Sequence, residues 1–99
     1  MAQIAIPEES ISQYCIQNQI KRLALFGSVL RDNFRSDSDI DIIVEFIPGK
    51  RVGMLAMSRI ERELSQVFGG RKVDLRTAAE LSRYFREDVL QKAEVCYDA

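Results

Sequence analysis

Apolar residues follow two different periods along the chain, and these periods predict its main elements. A β-branched, apolar run over residues 40–46 predicts the strongest strand, with alternate residues from Ile40 to Phe46 facing the core. Over residues 54–68, apolar positions recur every three or four residues and two glycines follow. That spacing predicts an amphipathic helix ended by the glycines.

Weaker signals predict the remaining elements. Each rests on a cap, a turn residue or a short apolar stripe. They are a helix from Pro7 to about Asn18, a strand from about Arg22 to Phe26, a helical stretch over residues 28–34 beginning at Ser28, a turn centred on Pro48-Gly49, a strand over residues 71–76, a helix capped by Thr77 and Glu80, a helix from Arg86 to about Ala93, and a short terminal strand over residues 94–98.

This order of elements predicts the fold class. Helices interleaved with three or four strands indicate an α+β (α/β two-layer) fold, a small mixed sheet with helices packed on one face. Ninety-nine residues suffice for one core but not for two, so we predict a single domain over residues 1–99.

Three carboxylates are predicted to meet on one side of this sheet. Asp39 and Asp41 alternate with the core-facing residues of the strongest strand, and Asp74 alternates in the same way in the later strand. If the two strands are neighbours, all three side chains converge. Oxygen donors at this spacing suit Mg²⁺ or Mn²⁺, and two such ions could activate a nucleophile and stabilise a leaving pyrophosphate.

A second candidate site lies just upstream, where Gly27-Ser28 joins a strand to a helical stretch. Glycine allows close approach of the backbone to a ligand, and free N–H groups at a helix start attract phosphate. Arg31, three residues after Ser28, could add a charge-assisted bond to phosphate.

Each of these features also has a purely structural interpretation. Gly27-Ser28 could be only a turn and a helix cap, and the two aspartates before the strand could form a solvated strand edge. Asp74 could simply pair with Arg76 or another cation, and Arg31 could be an ordinary surface residue. The joint arrangement favours the site.

Composition and motif rules exclude several kinds of chemistry. A net charge of −1 argues against bulk nucleic-acid or membrane binding, and no apolar run reaches the length of a membrane helix. Without histidine, Ser-His-Asp and Cys-His catalysis are impossible within the chain. An EF-hand calcium loop fails because Ile42 and Pro48 stand where glycine and glutamate are required, and no Walker phosphate loop is present. Cys15 and Cys96 are interpreted as thiols of a cytoplasmic protein, although one disulfide stays an alternative.

Gly27-Ser28, ten residues, then Asp39-Ile40-Asp41 resembles the signature of the DNA polymerase β-like nucleotidyltransferase superfamily. The match to its minimal nucleotidyltransferases runs from about Leu23 to Tyr97 and includes GSVLRD, SDIDIIVEF, KVDL and REDVLQKAEVCY. Asp32-Asn33 stands where relatives often have Gly-Asp, so no role is carried over to Asn33.

The resemblance implies a role for each site residue. Asp39, Asp41 and Asp74 would bind metal, and Asp74 would also help to deprotonate the attacking hydroxyl. The nucleotide-binding residues would be Gly27, Ser28, Arg31 and Ser38. The reaction would be attack of a hydroxyl on the α-phosphorus of a nucleoside triphosphate, with two Mg²⁺ or Mn²⁺ ions and ATP as co-substrate.

The resemblance also implies a partner. Many members act as antitoxins of a HEPN-domain ribonuclease toxin, and some transfer AMP to a tyrosine of that toxin, so a hetero-oligomer is expected. Docking features would include Lys50-Arg51, the exposed side of the 54–68 helix and the segment from Tyr84 to Tyr97, for which surface or core packing is the alternative. One alternative is an idle antitoxin that acts by complex formation alone. A weaker one is modification of a small molecule such as an aminoglycoside, which is disfavoured because we expect no substrate domain.

Overall fold

The computed structural model describes residues 4–31, 34–35, 37–81, 83–84 and 86–99. Three helices, four strands and two short 3₁₀ turns follow one another within these residues. In chain order they are α1 (Glu8–Gln17), β1 (Ile20–Phe26), the glycine–serine turn (Gly27–Leu30), β2 (Ile40–Phe46), α2 (Met54–Val67), β3 (Val73–Arg76), the Thr77 turn (Ala78–Glu80), α3 (Arg86–Lys92) and β4 (Glu94–Asp98).

The four strands form one mixed sheet in the order β3-β2-β1-β4. β1 pairs antiparallel with both β2 and β4, whereas β2 and β3 run parallel. The parallel pair needs a crossover, and α2 provides it. The predicted mixed sheet of three to four strands is confirmed, and β2 has the predicted bounds.

One face of the sheet packs against α1 and α2. Alternate residues of the central strands point into this layer, and each helix contributes two fully buried side chains. The shared core contains Ile11, Cys15, Leu23, Leu25, Ile40, Ile42, Val44, Ile60, Leu64, Val73 and Leu75, among others. The helix layer therefore lies on the face opposite to the alternating aspartates, as predicted.

The predicted helical stretch from Ser28 to Phe34 is wrong in extent. It is a single 3₁₀ turn over Gly27–Leu30, and Arg31 is already extended. Only Val29 of this turn is buried, so too little apolar surface is available to offset the cost of starting a longer helix. Asp32 and Asn33 lie outside the described residues.

The Thr77 cap is confirmed, but the helix it begins is only one turn long. Glu80 accepts hydrogen bonds from the Thr77 backbone N–H at 3.1 Å and from the Thr77 hydroxyl at 3.2 Å. The Thr77 side chain in turn accepts a hydrogen bond from the Glu80 backbone N–H, and this reciprocal pair is a capping box. It ends β3 at Arg76, and Leu81 returns to an extended conformation.

Both cysteines are free thiols, which removes the disulfide alternative. Cys15 is buried in the core, and the Cys96 thiol donates to the Leu23 carbonyl oxygen at 3.3 Å. Burial raises the pKa of each thiol to about 12. Both therefore behave as packing residues rather than as nucleophiles.

The residues predicted to form docking features differ in their exposure to solvent. Lys50 and Arg51 are exposed, as is Tyr84. Tyr97 instead packs against the core, which is the structural alternative considered for it. Phe85 lies outside the described residues. No helix among the described residues has the length and apolar character needed to cross a membrane.

The core assignment leads to a stability prediction on α2. Leu64 is fully buried, whereas Leu55 on the same helix is 89% exposed. We expect Leu64→Ala to lower the free energy of unfolding by about 2–5 kcal/mol because it leaves a cavity. The matched control, Leu55→Ala, should change it by less than about 0.5 kcal/mol. Urea unfolding followed by circular dichroism measures both, and equal effects would contradict the packing described.

Candidate active site

The structure brings the three predicted carboxylates to one edge of one face. Asp41 of β2 and Asp74 of β3 are direct partners across the parallel pair. Asp39 lies two residues before Asp41, just ahead of β2, and its charge acts on Asp41. Ile40 and Leu75 alternate with them and point to the core. The predicted convergence of residues from two strands is therefore present.

The environment of Asp41 is electrostatically unfavourable for a carboxylate. Partial burial raises its pKa, and the negative charges of Asp74 and then Asp39 raise it further. The Arg76 guanidinium and a hydrogen bond from the Ser28 backbone N–H act in the opposite direction but do not cancel the rise. Asp41 therefore occupies a position where an added cation would be stabilising.

Gly27 makes room for Asp41. It adopts φ +76°, a left-handed conformation that favours glycine, and a Cβ built on it would overlap the Asp41 carboxylate. Any side chain at position 27 would displace the carboxylate. The glycine–serine turn and the carboxylate cluster are thus one site, joined by contact between Gly27 and Asp41 and by the Ser28 N–H bond.

Cations accompany the other two carboxylates. Lys72 lies 3.9 Å from Asp39, and Arg76 lies 3.3 Å from Asp74. The considered pairing of Asp74 with Arg76 therefore exists. The carboxylates are 43% and 36% exposed, and ion pairs this open contribute little to stability. The aspartates are accessible to a ligand despite their partners.

The donor chemistry fits a hard divalent ion. Three carboxylates without a competing thiol or imidazole are the ligand type that Mg²⁺ and Mn²⁺ prefer. Among the described residues no group of three acidic, Cys or His side chains is already arranged to chelate an ion. The carboxylates thus share one side of the sheet but would have to draw together around a cation. Reduced repulsion at Asp41 would favour that movement.

The other two predicted nucleotide-binding residues have contrasting settings. Arg31 is exposed and lines a cavity that also includes Gly27. The Ser38 hydroxyl accepts a hydrogen bond from the Arg35 N–H at 3.1 Å, and the Ser38 N–H donates to the Arg35 carbonyl oxygen. These hydrogen bonds of Ser38 therefore stabilise the turn that precedes Asp39.

One residue near the site escaped the sequence interpretation. Glu61 of α2 accepts a hydrogen bond from the Leu75 backbone N–H at 2.9 Å. β3 is an edge strand, so this N–H has no partner strand, and Glu61 ties the strand beside Asp74 to the helix layer. A glutamate on an amphipathic helix carries no local signal of this role.

The raised pKa of Asp41 gives a stability prediction in the absence of metal. The native state binds the Asp41 proton more tightly than the unfolded chain does. Ionised Asp41 therefore destabilises the fold at a pH above its native pKa, and this destabilisation is absent at a pH below its pKa in the unfolded chain. In a chelator-containing buffer, Asp41→Asn should therefore raise Tm at neutral pH. Thermal melts should show this gain vanishing as the pH falls through the titration range of Asp41.

Asp37→Asn is the matched control, because Asp37 is exposed and precedes the strand. It should produce no comparable gain in Tm at neutral pH. A gain for Asp41→Asn that persists unchanged in acid would contradict an electrostatic origin.

Comparisons with known proteins agree with this geometry. The family model described as polymerase beta, nucleotidyltransferase matches residues 9–99. A candidate protein adenylyltransferase of Methanocaldococcus jannaschii, MJ0435, is 35% identical over 78 residues, which cover 79% of this chain and 81% of that protein. The solved structure of a candidate minimal nucleotidyltransferase superposes with a TM-score of 0.69 at 32% identity, covering 87% of this chain and 85% of that one.

Toxin–antitoxin structures share the fold at lower identity. One is described as a toxin-antitoxin with AMP-PNP and has a TM-score of 0.72 at 21% identity, covering 93% of this chain and 73% of that one. Another, a tri-AMPylated Shewanella oneidensis HEPN toxin in complex with MNT antitoxin, has a TM-score of 0.66 at 21% identity, covering 94% and 71%. The family match and the two relatives above 30% identity confirm the predicted resemblance: the chain belongs to the polymerase β nucleotidyltransferase family.

Proposed function

We propose that this protein transfers AMP from ATP to a hydroxyl, and in particular to a tyrosine, of a HEPN-domain toxin and so acts as its antitoxin. The observation that carries the proposal is the convergence of Asp39, Asp41 and Asp74 beside Gly27-Ser28. The names of two relatives point the same way, since one is a candidate protein adenylyltransferase and another a complex with an AMPylated HEPN toxin.

The residues divide into two roles in this proposal. Asp39, Asp41 and Asp74 would hold one or two Mg²⁺ or Mn²⁺ ions, which when bound supply charge neutralisation for the triphosphate and the leaving pyrophosphate. The N–H groups of the glycine–serine turn would hold the terminal phosphates, with Arg31 and Ser38 as further candidate contacts. Gly27 keeps this turn close enough to Asp41 for both roles to act on one nucleotide.

The chemical step is a substitution at the α-phosphorus. The acceptor oxygen forms a bond to the α-phosphorus, and the bond between the α-phosphorus and the bridging oxygen of the pyrophosphate breaks. The proton of the acceptor hydroxyl passes to Asp74. Asp74 suits this role because it stands on the edge strand, where an acceptor can approach from outside the sheet. Positioning and charge compensation suffice for such a transfer, which fits a chain without histidine.

Surface features would supply the docking area for the toxin. Lys50 and Arg51 lie next to Met54 and Leu55, whose side chains are largely exposed at the start of α2. A mixed basic and apolar surface of this kind would suit a partner with acidic and apolar groups. The expected hetero-oligomer, absence of bulk nucleic-acid binding and cytoplasmic location stay predictions.

A second candidate is an idle antitoxin that neutralises the toxin by complex formation alone. The cations beside Asp39 and Asp74 are compatible with it, because they partly neutralise a cluster that would hold no metal ion. The shifted Asp41 favours the enzyme, since a binding module gains nothing from an uncompensated carboxylate.

Mass spectrometry of the toxin after incubation with this protein, ATP and Mg²⁺ separates the two candidates. A gain of one or more AMP units is expected with the wild type. Asp41→Asn should reduce the transfer rate at least about 100-fold, because a metal ligand is lost, while circular dichroism and complex formation stay unchanged. Asp37→Asn should transfer AMP normally. Complex formation without any mass gain would support the idle antitoxin instead.

Metal dependence gives an independent test of the same proposal. EDTA should abolish AMP transfer, and excess Mg²⁺ or Mn²⁺ should restore it, whereas Ca²⁺ should restore it poorly because its coordination is larger and more flexible. Binding to the toxin, measured by size-exclusion chromatography, should not respond to EDTA. Undiminished transfer in EDTA would contradict the assigned role of the three aspartates.

A further inference from the structure

We infer that the cavity between the glycine–serine turn and α3, here the α3 cavity, holds the nucleoside part of the nucleotide. This inference rests on the proposed function for the presence of ATP. Beyond the proposed function, it identifies the surface that binds the base and ribose and assigns α3 to that surface. The cavity has a volume of about 540 Å³ and is lined by Phe26, Gly27, Leu30, Arg31, Asp88, Val89 and Lys92.

The sheet register places this cavity next to the carboxylates. Phe26 is the cross-strand partner of Asp41, and Asp41 is the partner of Asp74. Directly opposed residues project from the same face of a sheet, so these three side chains form one row across β1, β2 and β3. A nucleotide whose α-phosphate lies at Asp41 therefore has Asp74 on one side and Phe26, the entrance of the α3 cavity, on the other.

The composition of the cavity suits a nucleoside. Phe26, Leu30 and Val89 offer apolar surface, and an aromatic ring is a good surface for stacking a base. Charged groups from Arg31, Asp88 and Lys92 occupy the same lining. The Lys92 ammonium lies 3.2 Å from the Asp88 carboxylate, in an exposed pair that is easily exchanged for ligand contacts. Asp88 would accept hydrogen bonds from ribose hydroxyls, and an apolar pocket with a few polar groups is typical of small-molecule sites.

The burial pattern of α3 also agrees with a role beside a ligand. α3 contributes no fully buried residue to the core, yet Val89 turns partly inward against the cavity. α3 therefore has an apolar side chain, Val89, that faces the cavity rather than the core. Such a side chain is expected on a helix that covers a ligand.

A larger cavity beside α2 is on the wrong side of the sheet for a nucleoside. It has a volume of about 630 Å³ and lies by Phe46, Met57 and Leu75. Met57 and Glu61 of α2 line it together with the core-facing Leu75, so it lies on the helix-layer side of the sheet, opposite to the aspartates. Ribose is bonded directly to the α-phosphate, so a nucleoside on that side could not belong to a nucleotide whose α-phosphate is at Asp41.

Direct binding measurements test the inference without any toxin. Isothermal titration would compare Mg²⁺·AMP-PNP with Mg²⁺·tripolyphosphate, which has the phosphates but no nucleoside. Val89→Trp should fill the cavity and weaken AMP-PNP binding at least about tenfold, while tripolyphosphate binding changes less than about twofold. The matched control is Leu90→Trp, on the neighbouring residue of α3, which is exposed and does not line the cavity. It should leave both affinities unchanged.

Photolabelling of the wild-type protein gives a test that does not depend on a variant folding. An azido-adenine analogue of ATP with Mg²⁺ should label residues of α3 or of the glycine–serine turn. Labelling on α2, or equal loss of both ligands in Val89→Trp, would overturn the inference. If the wild type binds neither ligand, the inference and the proposed function both fail. If Val89→Trp selectively weakens AMP-PNP but no toxin is modified, only the proposed transfer fails.

Discussion

The repulsion among Asp39, Asp41 and Asp74 is the constraint on which the site depends. Three carboxylates on one side of a sheet are unfavourable together: partial burial raises the pKa of Asp41, and the charges of Asp74 and Asp39 raise it further. The fold tolerates the cost because the opposite face of the same strands is tightly packed. Ile40, Ile42 and Leu75 alternate with the aspartates and are almost completely buried, so any rotation of β2 or β3 that relieved the repulsion would expose core surface.

The same constraint gives the site its chemistry. A cluster that is incompletely neutralised by protein groups has an affinity for added positive charge, and the exposed cations Lys72 and Arg76 compensate it only weakly. Gly27 then couples the glycine–serine turn to the cluster, because the turn lies against the Asp41 carboxylate and Ser28 donates a hydrogen bond to it. Under the proposed function, the Ser28 N–H that donates to Asp41 is a group that a nucleotide phosphate would take once a cation neutralises the carboxylate.

The edges of the sheet decide how the site is approached. β3 is a four-residue edge strand, stabilised from the helix layer by Glu61, so Asp74 is held in place yet reachable from outside. On the other side, β1 leads through Phe26 to the cavity below α3. Under the proposed function these are separate approaches, one for an acceptor hydroxyl and one for a nucleoside. That separation would let the two reactants reach the carboxylates from opposite sides.

Sequence patterns alone determined the elements and the identity of the three aspartates, because both depend on local periodicity. Alternation in a strand separates core from open face, so the side occupied by Asp39, Asp41 and Asp74 followed once β2 and β3 were recognised. Tertiary structure decided what depends on register and on contacts between distant residues. The pairing of Asp41 with Asp74 and Phe26, the fit of Gly27 against Asp41, and the bond from Leu75 to Glu61 join residues far apart in sequence. The shortening of the stretch after Ser28 to one turn likewise depended on how little of it the core could bury.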